Sequence, residues 1–190
     1  MRLPLRVAAL AVVALVHACV SDSPPTRPIS MPPAAELSPT DSALADIENR
    51  IASGDVAGAR SALLTMPKEL DFIQRTRKQI CNAELLLLDQ KPVQALQTLP
   101  RTWQISDPAL SARIERVRAR AYFNSGDVVS AVRTLTTLES QLTAADDITA
   151  NRRVIWEGLK TARLESVNTR LPLADSTTQG WVELARLDRQ

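Results

Sequence analysis

Two thiols, Cys19 and Cys81, and one imidazole, His17, are the side chains of greatest chemical reach in this 190-residue chain. A Ser-His-Asp or Cys-His arrangement needs an imidazole beside its nucleophile, and His is a common ligand of zinc sites. His17 closes an apolar N-terminal run that is expected to be removed, so the mature chain is expected to hold neither arrangement and no metal. Only five glycines occur, and none is closely spaced except Gly54 and Gly58, so no phosphate-cradling loop is present. No catalytic residue, no cofactor and no enzymatic activity are expected. The chemistry left is that of Cys19 as a sulfur to be acylated. Cys81 sits in Gln79-Ile80-Cys81-Asn82-Ala83, within a helical pattern, and reads as a small buried hydrophobe rather than a reactive thiol.

The segment before Cys19 explains how that sulfur would be modified. Arg2 and Arg6 precede an uninterrupted apolar run of ten residues, Val7 to Val16. A permanent membrane-spanning helix needs about 20 residues, so this run has the size of a signal-peptide core instead. Val16-His17-Ala18-Cys19 resembles a lipobox, with an aliphatic residue three before the Cys and a small one directly before it. His17 departs from the small or hydroxylated residue usual in its slot. Residues 1–18 are thus expected to be a lipoprotein signal peptide, and Cys19 the diacylated first residue of the mature chain. Two acyl chains anchor a protein stably where one does not. Val20 follows the Cys in place of the Asp that favours inner-membrane retention in Gram-negative lipoproteins, so the periplasmic face of the outer membrane is the expected location.

Residues 19–39 read as a lipid-anchored linker. Pro24, Pro25, Pro28, Pro32, Pro33 and Pro39 lie among Ser, Thr and Arg. Proline removes a donor and clashes with the preceding turn, so polyproline II is expected, at ~3.1 Å per residue. Loss of Arg2 and Arg6 lowers Lys+Arg from 23 to 21, equal to the 21 Asp+Glu, and leaves the mature chain formally neutral. No clustered basic face argues for nucleic acid.

From residue 40 to residue 190 the chain is rich in Ala and Leu and shows no strand alternation. Its columns recur at a step of 36: Gly54, Gln90 and Gly126; Ala59, Ala95 and Ala131; Leu63, Leu99 and Leu135; and, twelve residues before each Ala, Ile47, Ala83 and Ala119. Gly then Asp ends one helix in a left-handed cap and caps the next. A small residue lets two helices approach, and Leu a turn later fills the groove between neighbouring pairs. This pattern resembles the tetratricopeptide repeat over three units, about residues 41–140, although the step exceeds the usual 34 and Gln90 replaces a turn Gly. The resemblance implies an all-α, tetratricopeptide-like solenoid of antiparallel helix pairs. Helices are predicted at about 40–52, 55–66, 69–88, 92–100, 108–124, 128–142, 147–166 and 176–188, with Ser106-Asp107-Pro108 and Asp146-Asp147 as starts.

Glu165-Ser166 could be compared with the catalytic Glu-Ser of lytic transglycosylases. Only 24 residues follow Ser166, too few for a lysozyme-like fold, so both are read as surface residues. Trp103, Trp156 and Trp181 are expected to pack between helices rather than to form a glycan-binding surface.

A polar turn then Gly180-Trp181-Val182-Glu183-Leu184-Ala185 closes the sequence. Together with lipobox, linker and repeats, it resembles the N-terminal domain of the LppC/LpoA family, outer-membrane lipoproteins that activate class A penicillin-binding proteins. The resemblance implies a non-enzymatic helical interaction module in a regulator of peptidoglycan synthesis. A class A penicillin-binding protein is the implied partner, the outer membrane is reached through Cys19, and peptidoglycan is a further candidate. Family members continue into a periplasmic-binding-like α/β domain that is expected to be absent here. The alternative is a generic tetratricopeptide lipoprotein scaffolding outer-membrane or secretion machinery.

Overall fold

A computed structural model describes residues 37–167, 171 and 174–190. All the regular structure among them is helical: α1 (Pro39–Ser53), α2 (Val56–Thr65), α3 (Phe72–Leu88), α4 (Pro92–Thr98), α5 (Pro108–Asn124), α6 (Val128–Glu139), α7 (Ala145–Thr161) and α8 (Ser176–Leu187), with 3₁₀ turns at Thr102–Gln104 and Leu164–Val167. Side-chain caps set most starts. Asp55, Asp107, Asp127 and Asp175 each accept a backbone N–H of the first turn they precede. Asp71 and Gln74 form a reciprocal capping box, which begins α3 at Phe72 rather than near residue 69. Helix α1 opens on Pro39 behind the Ser38 cap. Its fixed φ suits a first helical position, so this proline begins a helix instead of ending the linker.

Helices α4 and α6 end at Thr98 and Glu139, two and three residues before the expected bounds, and α7 departs from the sequence reading at both ends. Asp146 and Asp147 are not caps: Ala144 holds the cap position of α7, and both acids lie in the first turn. There their charge opposes the positive helix end. Helix α7 also stops at Thr161, because Ala162 turns extended (φ −72°, ψ 149°), so the expected continuation to residue 166 is replaced by a 3₁₀ turn.

The joints at the step of 36 share one geometry. Gly54, Gln90 and Gly126 have φ of +84°, +60° and +82°. At each joint this residue donates to the carbonyl three before it: Ile51, Leu87 and Phe123, at 3.2, 3.1 and 3.0 Å. The following residue donates to the carbonyl five before it: Arg50, Leu86 and Tyr122, at 2.8, 2.9 and 2.9 Å. This is the Schellman closure, which satisfies the last carbonyls of a helix through a left-handed residue. Gln90 adopts that conformation with a side chain, at a cost on the order of 1 kcal/mol. Gln90→Gly is therefore expected to raise the urea midpoint by the equivalent of about 0.5–1 kcal/mol with an unchanged slope. An unchanged midpoint would show the joint to be unstrained.

Packing proceeds in chain order. Helix α1 contacts α2 and α3, α3 contacts α4 and α5, α5 contacts α6 and α7, and α8 closes on α6 and α7. Three apolar clusters follow. Leu44, Ile47, Ala59, Leu63, Cys81 and Leu85 join α1 to α3. Ile80, Ala83, Ala95, Ile114 and Val117 join α3 to α5. Val128, Val132, Leu135, Ile155, Leu159 and Val182 join α6 to α8. Helix α3 serves two clusters because successive residues, Ile80 and Cys81, turn to opposite neighbours. The column Ala59, Ala95 and Ala131 is wholly buried, and so is Ile47, Ala83 and Ala119. Ile155 extends that second column by one more step and is also wholly buried, so α7 opens a fourth unit. A Cβ on Gly158 would lie 2.2 Å from the Phe123 ring, which explains a glycine where α7 meets α5.

Trp156 and Trp181 pack against the last cluster. Trp103 does not: its 3₁₀ turn leaves it 75% exposed, contrary to the expected core position.

Candidate interaction groove

Cys19, the expected lipidation site, lies outside the described residues, as do the signal segment and most of the linker. Among the described residues no group of three or more His, Cys, Asp or Glu converges to hold a metal. Glu165 and Ser166 fall in the 3₁₀ turn after α7. Asp147 receives Arg116 at 3.3 Å across the α5–α7 contact. Cys81 is wholly buried, and burial pushes its thiol up to about 12, so it stays protonated and inert at neutral pH.

The densest polar structure is a ladder of ion pairs across α1, α3 and α5. Arg77 on α3 donates to both oxygens of Glu48 on α1, at 3.1 and 2.8 Å, and reaches Asp41 at 3.2 Å. Arg113 on α5 donates to Glu48 at 2.6 Å and to Glu84 on α3 at 2.8 Å. Both Arg77–Glu48 and Arg113–Glu84 span 29 residues. The ladder thus repeats with the fold: Asp41, Arg77 and Arg113 form one column of step 36, and Glu48, Glu84 and Arg120 another. Sequence reasoning that followed only apolar columns missed it, although the same step applied to charges marks it.

Burial would raise the Glu48 carboxyl, but two guanidiniums outweigh burial and hold it below its ordinary 4.5. A carboxyl depressed by folding stabilises the fold above its unfolded value, and that contribution is lost as pH falls through the folded value. Stability is therefore expected to fall on acidification below about pH 4.5. Glu48→Gln is expected to be weaker than the parent at neutral pH and to lose less on acidification. Urea unfolding of both proteins at neutral pH and at about pH 3 checks this, and equal acid losses would exclude Glu48 as a source.

Beside the ladder, a groove of about 810 Å³ opens between α1, α3 and α5, with Glu48, Glu84, Leu88, Arg113, Arg120 and Asn124 among its walls. A second, of about 610 Å³, lies between α2 and α3, where Arg60 meets Asp89 at 2.5 Å. The groove, the ladder and all eight helices fall within one family match. The family model of the LppC lipoproteins covers residues 41–190, so only the first two residues of α1 lie outside it.

The chain belongs to the LppC family. Comparison with curated proteins and with solved structures finds no significant match. The match runs through Gly180-Trp181 in α8, the segment that carried the sequence resemblance. As a member of a lipoprotein family, this LppC chain is a membrane-anchored lipoprotein. No helix among its described residues is long and apolar enough to cross a membrane.

Proposed function

We propose that this LppC chain is the helical interaction module of an outer-membrane regulator of peptidoglycan synthesis, acting as an activator of a class A penicillin-binding protein. The observation that carries this reading is the family match across all four helical units, ending in the Gly-Trp helix. The three identical joints and the in-order packing support a tetratricopeptide-like solenoid, an architecture that offers grooves between successive helix pairs to other proteins. Its role is non-enzymatic: it binds and positions, and the synthase does the chemistry.

The test is a pull-down of a class A penicillin-binding protein by the lipidated chain, with and without any α/β domain encoded downstream, paired with a glycan polymerisation assay. Capture by either form, with faster polymerisation, is the expected result. Failure of both to bind the synthase removes the assignment.

A further inference from the structure

Hydrogen bonds between α1 and α3 set the starts of the two helices side by side. Gln74 donates to Ser38 Oγ at 3.5 Å and Arg77 to Asp41 at 3.2 Å, each pair one step of 36 apart. Three large apolar side chains stand around this contact with little cover: Leu37, Phe72 and Ile73 are 68%, 49% and 39% exposed. The cause is local. An apolar residue directly before an N-cap commonly packs on the fourth residue of its helix, but behind Leu37 that position is Ser42. Phe72 and Ile73 open α3 ahead of its first buried position, Thr76.

What covers this patch follows from where the chain goes. From Leu37 it runs back to Cys19, the expected acylated residue, and the eighteen residues between them span at most about 60 Å. The membrane that anchors this lipoprotein therefore always lies within that reach. A short tether presents a second contact at an effective concentration in the mM range, so a contact too weak to hold alone is still made. Charge does not choose the occupant. Lys68 and Arg75 beside the patch are matched by Glu69 and Asp71, and Arg75 donates to the Leu70 carbonyl at 3.1 Å. Exposed apolar surface with balanced charge fits the interfacial layer of a bilayer, where aromatic rings gather.

We infer that Leu37, Phe72 and Ile73, at the joined starts of α1 and α3, rest in the interfacial layer of the membrane that carries the lipid anchor. The first helix pair then lies against the bilayer by that end. The inference rests on the chain being a membrane-anchored lipoprotein and is independent of the penicillin-binding-protein reading.

The test uses the full lipidated chain in phosphatidylcholine vesicles, with or without brominated acyl chains, which quench tryptophan only on close approach. Phe72→Trp is compared with Val93→Trp, an exposed position beside the Gln90 joint at the other end of α3. Both are made in a Trp103→Phe background, where Trp156 and Trp181 remain packed against the last cluster. Brominated lipid is expected to lower the emission added by Phe72→Trp about twofold, at low salt and at about 1 M alike, and to leave that of Val93→Trp unchanged. Adding Leu37→Ser and Ile73→Ser is expected to abolish the quenching with an unchanged thermal midpoint, because both side chains are exposed. No quenching, equal quenching at both positions, or quenching lost at high salt overturns the proposal. So does quenching that survives the two serine substitutions. Emission of Phe72→Trp that shifts with protein concentration in lipid-free detergent would place a second copy on the patch and equally overturn it. Protein that does not float with the vesicles lacks the anchor, and the inference falls with it.

Discussion

Cys19→Ala is expected to move the protein from the membrane fraction to the soluble fraction. The argument is one of magnitudes. Each buried CH₂ of an acyl chain contributes ~0.8 kcal/mol, so two chains hold a protein that one would release. No helix among the described residues is long and apolar enough to span a bilayer, and the acyl chains on Cys19 are the expected anchor. Thiol titration gives an independent reading of the same event. Processed, acylated protein retains only Cys81, which is wholly buried and protonated up to about 12. A native sample is then expected to show no reactive thiol, and a denatured one a single thiol. Two thiols on denaturation would mean that Cys19 is unmodified. Membrane retention of Cys19→Ala after a carbonate wash would refute the anchor.

Ile114→Ala is expected to cost about 3 kcal/mol of unfolding free energy. Ile114 is wholly buried in the cluster that joins α3 and α5. The cluster around it mixes Ala83, Ala95 and Ala121 with Ile80, Leu110 and Val117, and the loss depends on how far the longer side chains relax into the gap. With a total stability on the order of 5–15 kcal/mol, such a loss is a large fraction of the whole. A urea midpoint lowered by about 1–2 M checks it. A shift below about 0.3 M would mean that the cluster collapses around the gap. Leu64→Ala serves as the control, because that residue is 86% exposed and nearly nothing is expected to change.

Much of the helical architecture is legible in the residues alone, because its punctuation is local. Gly54, Gln90 and Gly126 all adopt the left-handed joint that their shared step announces, and Gln90 does so without being a glycine. Register thus outranks residue type at that position. Asp107 before Pro108 caps α5 as read. The misreadings arise where neighbours decide. Asp146-Asp147 has the residue types of a cap, but the helix begins two residues earlier and the acids serve its dipole instead. The end of α7 at Ala162 carries no Gly, Asn or Pro signal, which also hid the fourth unit. Trp103 has the bulk of a core residue, yet its short turn leaves it 75% exposed. The groove was invisible for a different reason. A charge column looks like solvated surface until the partner 29 residues away is brought beside it.

The capping residues carry one more consequence. Asp71 before α3 and Asp107 before α5 stand one step of 36 apart and do the same work. Cutting out residues 72–107 would splice Asp71 directly to Pro108, the same pair of residues that begins α5 now. Arg113 would then face Glu48 and Asp41 as Arg77 does at present. The protein behaves as a ruler marked in equal divisions: a whole division can be deleted or duplicated without misaligning the next. The span from α1 to α8 can therefore be changed in fixed increments.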